Sequence, residues 1–486
     1  MPKSLYIDPE VTLRPKEHEI KFPEIPVMQY KKTVKDELKE GNFTKEDLLR
    51  IYRDMFTIRE FETMLNSVKT TGGYNGVEYN NPGPAHLSAG QEAAAVGMAY
   101  NLDTDDFIFG SHRSHGEILA KGLRSIEILP EAELKKIMDE FWGGATVAVA
   151  GKDFKGSTKE LGVRFLIYGA IAEIFARTTG FNKGLGGSMH TFFTPFGIYP
   201  NNAIVGGSGS IAVGAALYKK VNRKKGIVVA NLGDGAMARG PVLEGMTFAS
   251  MDQFHTLWEG DMKGGLPVLI NVMDNQYAMG GQTKGETMGY SFPARLGAGF
   301  NPEAWHAERV NGYDPLAVID AFRRKKALLE KKEGPALLDV VTYRYSGHSP
   351  SDQSSYRTKE EIAAWEAEDC IVAYGKRLIE AGVATQADLD AIQAKMMETI
   401  FEMYKLAIDP VVSPRMDLVK DNELLGDMMY SNGSVDSFGD AKPEVLMPME
   451  ENPRVKQIAG KERFWLDKDG KPVSSMKTYN FRDGVF

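Results

Sequence analysis

Residues 226–232 and 266–273 are two apolar runs of strand length, each closed by a polar motif. The first, with Ile227, Val228 and Val229, leads into Gly233, Asp234 and Gly235. The second, with Val268, Leu269 and Ile270, leads into Asp274, Asn275, Gln276 and Tyr277. Unbroken apolar runs of this kind are strands buried on both faces, the mark of a parallel sheet covered by helices. Ligands of such sheets bind beyond the carboxyl ends of the strands, where Asp234 and Asn275 stand. A carboxylate oxygen and an amide oxygen suit Mg²⁺, which takes few protein ligands and leaves positions for phosphate oxygens. The pair therefore predicts a metal-bridged diphosphate site.

Gly233, Gly235 and Ala238 also fit the loose dinucleotide fingerprint. That fingerprint brings bare backbone N–H groups to a pyrophosphate, whereas here an aspartate lies between the glycines and would repel it without a cation. The ribose-binding acid belongs about 20 residues on, and Asp274 lies about twice that far. A nicotinamide site and a plain structural turn remain the alternatives.

The length of 486 residues suggests two or three domains. Hydrophobic content of 43% and charge of 26% are those of a globular protein. A net charge of −8 gives no footprint for nucleic acid. The lone Cys370 excludes an internal disulfide and a cysteine metal cluster, and reads as a buried apolar residue. No apolar run is long enough to span a membrane, and residues 1–8 lack the features of an export signal. A cytoplasmic enzyme is the resulting expectation.

Residues 1–42, rich in proline and charge, read as an extended N-terminal arm. Thr44 and Asp47 form a capping box that opens an amphipathic helix with Leu48, Ile51, Tyr52, Met55 and Ile58 on one stripe; Phe56, Phe61 and Met64 are core positions. A third strand is expected at 336–343, and helix again over 359–408 with Thr385 and Asp388 as a second box. The main domain is thus 43–408. Residues 409–486 read as a linker or surface-wrapping tail.

Five of the eight histidines lie in glycine-, serine- or arginine-rich loops: His86, His112, His115, His190 and His348. Arg113 stands between two of them, and an arginine fork suits a phosphate. The small-residue loops 186–190 and 203–209 allow close backbone approach, although tight packing explains each equally well. Residues 343–352 form a polar loop with Arg344 and His348 directly after the third strand; a hydrogen-bonded turn would account for it if it stood alone.

Taken in order from about 46 to 400, these segments resemble the alpha subunit of thiamine-diphosphate-dependent 2-oxo acid dehydrogenases, of the pyruvate and acetoin types. The likeness runs through residues 55–62, 86–93, 112–116, 187–190, 204–207, 233–235, 274–277 and 345–358. It implies an α/β thiamine-diphosphate-binding fold with a helix-covered, mostly parallel sheet. It also implies oxidative decarboxylation of a 2-oxo acid, pyruvate favoured, with acyl transfer to a lipoyl-bearing acyltransferase. Asp234, Asn275 and the carbonyl of Tyr277 would hold Mg²⁺. Gly235, Ala236, His112, Arg113 and Arg344 would line the diphosphate, and Ala203 and Val205 would meet the aminopyrimidine. His348, which also touches the cofactor, and His86 would face the substrate, with His115 a third catalytic imidazole and His190 nearby.

Four departures from the family pattern stand out. His112 replaces a tyrosine, Asp274 replaces an asparagine, and Ser346 replaces a histidine. The interval between the two metal half-motifs is longer than usual, and residues 254–265, with Trp258 and Met262, are expected to form a surface excursion. The glutamate that activates the cofactor belongs, in this family, to a beta-type domain, and Glu92 does not match it. The chain is therefore expected to be inactive alone and to complete its site against a beta-type partner in a heterotetramer or larger assembly. Residues 476–486 resemble the start of such a domain, which suggests the front of an alpha–beta fusion. Other readings are an acetoin-cleaving alpha subunit, a nicotinamide-dependent dehydrogenase and a non-catalytic regulatory paralogue.

Overall fold

The computed structural model describes residues 9–13, 21–81, 83–289, 291–300, 305–420, 423, 448–460 and 464–474. The chain falls into two compact units, Met1–Met416 and Asp417–Phe486. The first is built on a five-stranded, wholly parallel sheet. Its strands are β1 (Phe107–Phe109), β2 (Val228–Gly233), β3 (Val268–Asp274), β4 (His306–Asn311) and β5 (Ala336–Val341), in the order β1-β2-β3-β5-β4.

The helices used below are α1 (Val34–Glu40), α2 (Lys45–Thr70), α3 (Glu92–Tyr100), α4 (His115–Ile128), α5 (Thr158–Ile174), α6 (Gly207–Val221), α7 (Pro315–Glu330), α8 (Lys359–Ala367), α9 (Cys370–Glu380) and α10 (Gln386–Ile408). Alternate residues of the central strands feed two cores. Val229, Leu269 and Leu338 pack with α2, α5 and α10, whereas Val228, Ala230, Ile270 and Leu337 pack with Ala212, Val213 and Ala216 of α6. Both faces are therefore covered, as the unbroken apolar runs require. Helices approach closely where side chains are small: a Cβ on Gly97 of α3 would come within 2.5 Å of Val318 on α7.

The predicted strands 226–232, 266–273 and 336–343 are present as β2, β3 and β5, but two more flank them. Strand β1 is only three residues long. Strand β4 hides in the sequence because its buried positions include charges. Glu308 pairs with Arg324 and Lys325, and Arg309 donates through Nη1 to Asp274 Oδ2 (2.8 Å) and Asp339 Oδ2 (2.6 Å).

The arm differs from the extended segment expected over 1–42. Thr33 and Asp36 close a full capping box and Gly41 ends the helix in the left-handed region, so α1 forms within the charged stretch. Before it, Met28 N donates to Arg309 O and Arg309 N to Pro26 O, both at 2.9 Å, adding the arm to β4. The expected helical region 359–408 is three helices, α8, α9 and α10. The tail begins later than 409, because Ser413 is buried and its hydroxyl meets that of Tyr168 at 2.6 Å. Residues 254–265 are not a purely surface excursion: Phe254 is buried, and its ring packs edge-on to Trp258 at 5.2 Å.

The second unit contains a short helix, Pro453–Ala459, and a hairpin of Phe464–Leu466 with Pro472–Ser474. Residues 476–486, where the beta-like ending is expected, lie outside the described residues. Among the described residues no helix is long and apolar enough to cross a membrane.

Arg309 carries a heavy electrostatic load. Burial, and next the charge of Asp274, push the Asp339 carboxyl up to about 7 despite the guanidinium. Replacing Arg309 by Met leaves two buried acids without a counter-charge and is expected to cost about 3–5 kcal/mol of stability. A raised folded pKa means stability that is complete below the unfolded value of about 3.9 and lost as pH rises through about 7. Urea denaturation of R309M should therefore show a larger loss at pH 8 than at pH 6.

Candidate functional site

Pairing of β2 with β3 sets Gly233 beside Met273, so Asp234 and Asn275 emerge from neighbouring strand ends. Asp234 is 1% exposed. Its Oδ2 accepts from Thr283 Oγ1 at 2.5 Å, while Oδ1 has no partner. Burial, and then the charge of Asp274, push its carboxyl up to about 8. Asn275 Nδ2 donates to Gln91 Oε1 at 2.9 Å, and its Oδ1 accepts from Tyr277 N at 3.2 Å. A buried carboxylate oxygen without a donor is costly unless a cation meets it. The hard oxygens gathered here suit Mg²⁺.

These strand ends open into a cavity of about 580 Å³, within the usual range for small-molecule sites. The cavity is lined by His86, His112, Arg113, Ala203, Val205, Asp234, Gly235, Ala236, Asn275, Tyr277, Arg344 and His348, all named from sequence. Three rings converge there, with centroids 4.7 Å (His86–His112), 4.8 Å (His86–His348) and 5.4 Å (His112–His348) apart. Nδ1 of His86 and of His348 are buried without partners. Burial, then the charge of Arg113, push the three imidazoles down to about 3, 2 and 4 for His86, His112 and His348.

Arg113 ties two of the histidine loops together. Its Nη1 donates to Leu87 O at 2.7 Å and its Nη2 to His348 O at 2.9 Å. Arg344 Nη2 donates to Ala278 O (2.9 Å) and Tyr356 OH (2.7 Å), and its Nε is buried without a partner. Asp352 Oδ2 accepts from His348 N at 2.6 Å and from Tyr356 OH at 2.7 Å, which fixes the loop after β5. The loop before His190 is held by Glu173, whose carboxylate accepts from the backbone N–H groups of Asn182, Gly184, Gly186 and Gly187.

Two expected residues stand apart from the cavity lining. His115 is buried, with Nδ1 3.0 Å from Glu62 Oε1 and Nε2 2.9 Å from Ser188 Oγ. Burial opposes its charged form, but Glu62 overrides this and its pKa is raised. At the start of α4, His115 meets Glu62 and Ser188, while Glu117 of the same turn lines the cavity. His190 is exposed, its Nδ1 3.2 Å from Asn201 O.

Sequence reasoning missed Gln91, which orients Asn275, and Thr283, which holds Asp234 and carries no motif. It also missed Glu117, a buried wall residue with Oε2 unpartnered and a carboxyl pushed up to about 7, by burial first. Glu92 has a structural role: its Oε1 accepts from Arg59 Nε at 2.5 Å. At the cavity mouth Ile204 and Val205 are 71% and 52% exposed. Further exposed apolar side chains, Ile211, Tyr218 and Val221, follow on α6.

Comparison with known proteins gives a family match. The profile described as "Dehydrogenase E1 component" matches residues 73–157 and 157–412. The pyruvate dehydrogenase E1 component subunit alpha of Rhizobium meliloti (strain 1021) is 30% identical over 361 residues, 74% of this chain and 85% of the relative. A probable mitochondrial pyruvate dehydrogenase E1 component subunit alpha of Caenorhabditis elegans is 30% identical over 379 residues, 78% of each chain. The Rickettsia conorii subunit alpha of the same description is 28% identical over 368 residues, 75% of this chain and 93% of the relative.

The imidazole cluster yields a pH prediction. Each folded pKa lies below the unfolded value of about 6.5, so the stability contributed is complete above that pH and lost as pH falls toward 4. NMR of ¹³C-histidine-labelled protein should show three rings that stay neutral between about pH 5.5 and 8. A cluster member titrating near 6.5 would contradict this.

Proposed function

This chain belongs to the dehydrogenase E1 component family, and from that membership we propose that it is the alpha part of a thiamine-diphosphate-dependent enzyme that decarboxylates pyruvate oxidatively and passes the acyl group to a lipoyl-bearing acyltransferase. The relatives' descriptions as pyruvate dehydrogenase subunits support pyruvate as substrate. The single observation that carries the site reading is the buried, unpartnered Oδ1 of Asp234 on the cavity wall beside Asn275.

Thiamine diphosphate, when bound, supplies the carbon nucleophile and electron sink for loss of CO₂. On this reading Asp234, Asn275 and the Tyr277 carbonyl hold Mg²⁺. Gly235, Ala236, His112, Arg113 and Arg344 surround the diphosphate, and Ala203 and Val205 face the aminopyrimidine. His86 and His348 are neutral at working pH, so each can accept a proton at one ring nitrogen, hand it on from the imidazolium so formed, and donate a hydrogen bond through the other nitrogen. The predominantly apolar cavity keeps water from the reacting atoms. His115, paired with Glu62 behind the wall, holds the Ser188 loop and is assigned a positioning role.

The cofactor-binding domain is assigned to residues 43–408 together with the packed stretch that runs on to Ser413, with the arm before it and the tail after it. The exposed apolar residues at the mouth and along α6 support a protein partner there. A beta-type subunit in a heterotetramer or larger assembly fits, since Glu92 is committed to Arg59 and the activating glutamate must come from elsewhere. The composition supports a cytoplasmic location.

Co-purification with a beta-type partner, followed by assays of CO₂ release from the 2-oxo acids and of acetaldehyde release from acetoin, tests the proposal. Pyruvate should turn over faster than 2-oxobutanoate, branched 2-oxo acids or acetoin; a preference for acetoin would overturn it. Replacing Asp234 by Ala should weaken Mg²⁺-dependent thiamine diphosphate binding, read by calorimetry, by more than about 100-fold, beyond the effect of outer-shell changes.

A further inference from the structure

Among the described residues four helices begin on a hydroxyl N-cap followed three residues later by an acid whose carboxylate returns to the N-cap backbone: Thr33 with Asp36, Thr44 with Asp47, Ser157 with Glu160 and Thr385 with Asp388. Helix α8 has the same sequence pattern, Thr358 with Glu361. Thr358 Oγ1 accepts from Glu361 N at 3.1 Å, so the first half of the box is made. The second half is not. Glu361 Oε1 instead accepts from Tyr277 OH at 2.6 Å and from Tyr343 OH at 2.8 Å. The helix gives up half of a favourable cap to hold two tyrosines.

One of those tyrosines belongs to the turn after β3. Between Asn275 and Tyr277 the backbone passes through Gln276 at φ 71°, a left-handed conformation that a side chain disfavours. Local bonds hold the turn, from Tyr277 N to Asn275 Oδ1, from Gln276 Nε2 to Asp274 Oδ1 and from Thr283 N to Gln276 O, and a second anchor comes from α8, where Glu361 takes the Tyr277 hydroxyl. The second anchor is itself rigid. Tyr343 stacks on Trp365 of α8 at 4.9 Å and 6°. Arg357 lies 5.5 Å from the Tyr277 ring centre and 5.3 Å from that of Tyr343, and its Nη1 donates to Arg344 O at 2.6 Å.

We propose that Glu361 is a positioning residue for the metal site: by holding the Tyr277 hydroxyl it fixes the Asn275–Tyr277 turn, and so presents the Asn275 and Tyr277 oxygens to the cation. The same contact joins this turn to the loop of Arg344 and His348, which precedes α8. The inference rests on the reading of Asp234, Asn275 and Tyr277 as Mg²⁺ ligands. It adds a control point that no ligand residue supplies, because no residue of α8 lines the cavity and Glu361 reaches the proposed ligands through the Tyr277 hydroxyl.

The test is Mn²⁺ binding in place of Mg²⁺, followed by the loss of the free-ion electron paramagnetic resonance signal. It uses the full chain with its beta-type partner and saturating thiamine diphosphate. E361A should raise the Mn²⁺ concentration for half-saturation about tenfold, the scale of a lost hydrogen bond to a charged group. Y277F, which keeps the ring and its packing, should do the same and decides the matter if E361A fails to fold. E361Q keeps an acceptor oxygen and should restore near-normal binding. A purely structural role would lower thermal stability in these variants without changing the Mn²⁺ requirement, and wild-type Mn²⁺ binding in E361A or Y277F overturns the proposal. D234A separates the two readings. If it binds Mn²⁺ like wild type, the metal-site assignment itself fails; if only D234A loses binding, the Glu361 inference alone fails.

Discussion

Three carboxylates, Asp234, Asp274 and Asp339, are buried at the carboxyl end of one parallel sheet, and a single guanidinium answers two of them. Charges in a protein interior persist only when paired and hydrogen-bonded. Arg309 meets that condition for Asp274 and Asp339 and leaves Asp234 with Oδ1 unpartnered. Arg309 sits on β4, the outermost strand, whose far side is held by residues 26–28 of the arm. The site thus depends on a sequence of supports that begins well before the sheet: arm, outer strand, guanidinium, acid, turn.

The loops above the sheet are joined by a different device. Arg113 spans the His86 and His348 loops through two backbone carbonyls, and Arg357 takes the carbonyl of Arg344. Such contacts fix loops by charge-assisted hydrogen bonds rather than by packing. They also leave a positive field inside the cavity, which adds to burial in keeping three imidazoles uncharged and favours an anionic guest.

Much of this was legible in the sequence, for physical reasons that differ by element. Strands β2, β3 and β5 read clearly because burial on both faces demands unbroken apolar runs. Strand β4 did not, because Glu308 and Arg309 are buried by pairing with residues far along the chain. The hydroxyl–acid spacing located α2 and α10 but was overlooked at Thr33, where a run of lysines and acids suggested an open arm. Every cavity residue named from motifs lines the cavity. His115 stands apart from it because motif adjacency says nothing about which way a helical turn faces. Gln91, Thr283 and Glu117 were invisible for the complementary reason: their importance lies in what they touch, and single residues in a loop or helix turn carry no periodic signal.

The pairing of residues 26–28 with β4 has a consequence for handling the protein. An outer strand with open N–H and C=O groups is a template for another chain. In this fold residues 26–28 occupy part of that row, beside Arg309. A chain shortened to begin at Phe43 would retain Asp234, Asn275 and the three cavity imidazoles yet bare the side of the strand that carries Arg309. Loss of solubility, before any loss of chemistry, would be the first sign that the arm is part of the sheet.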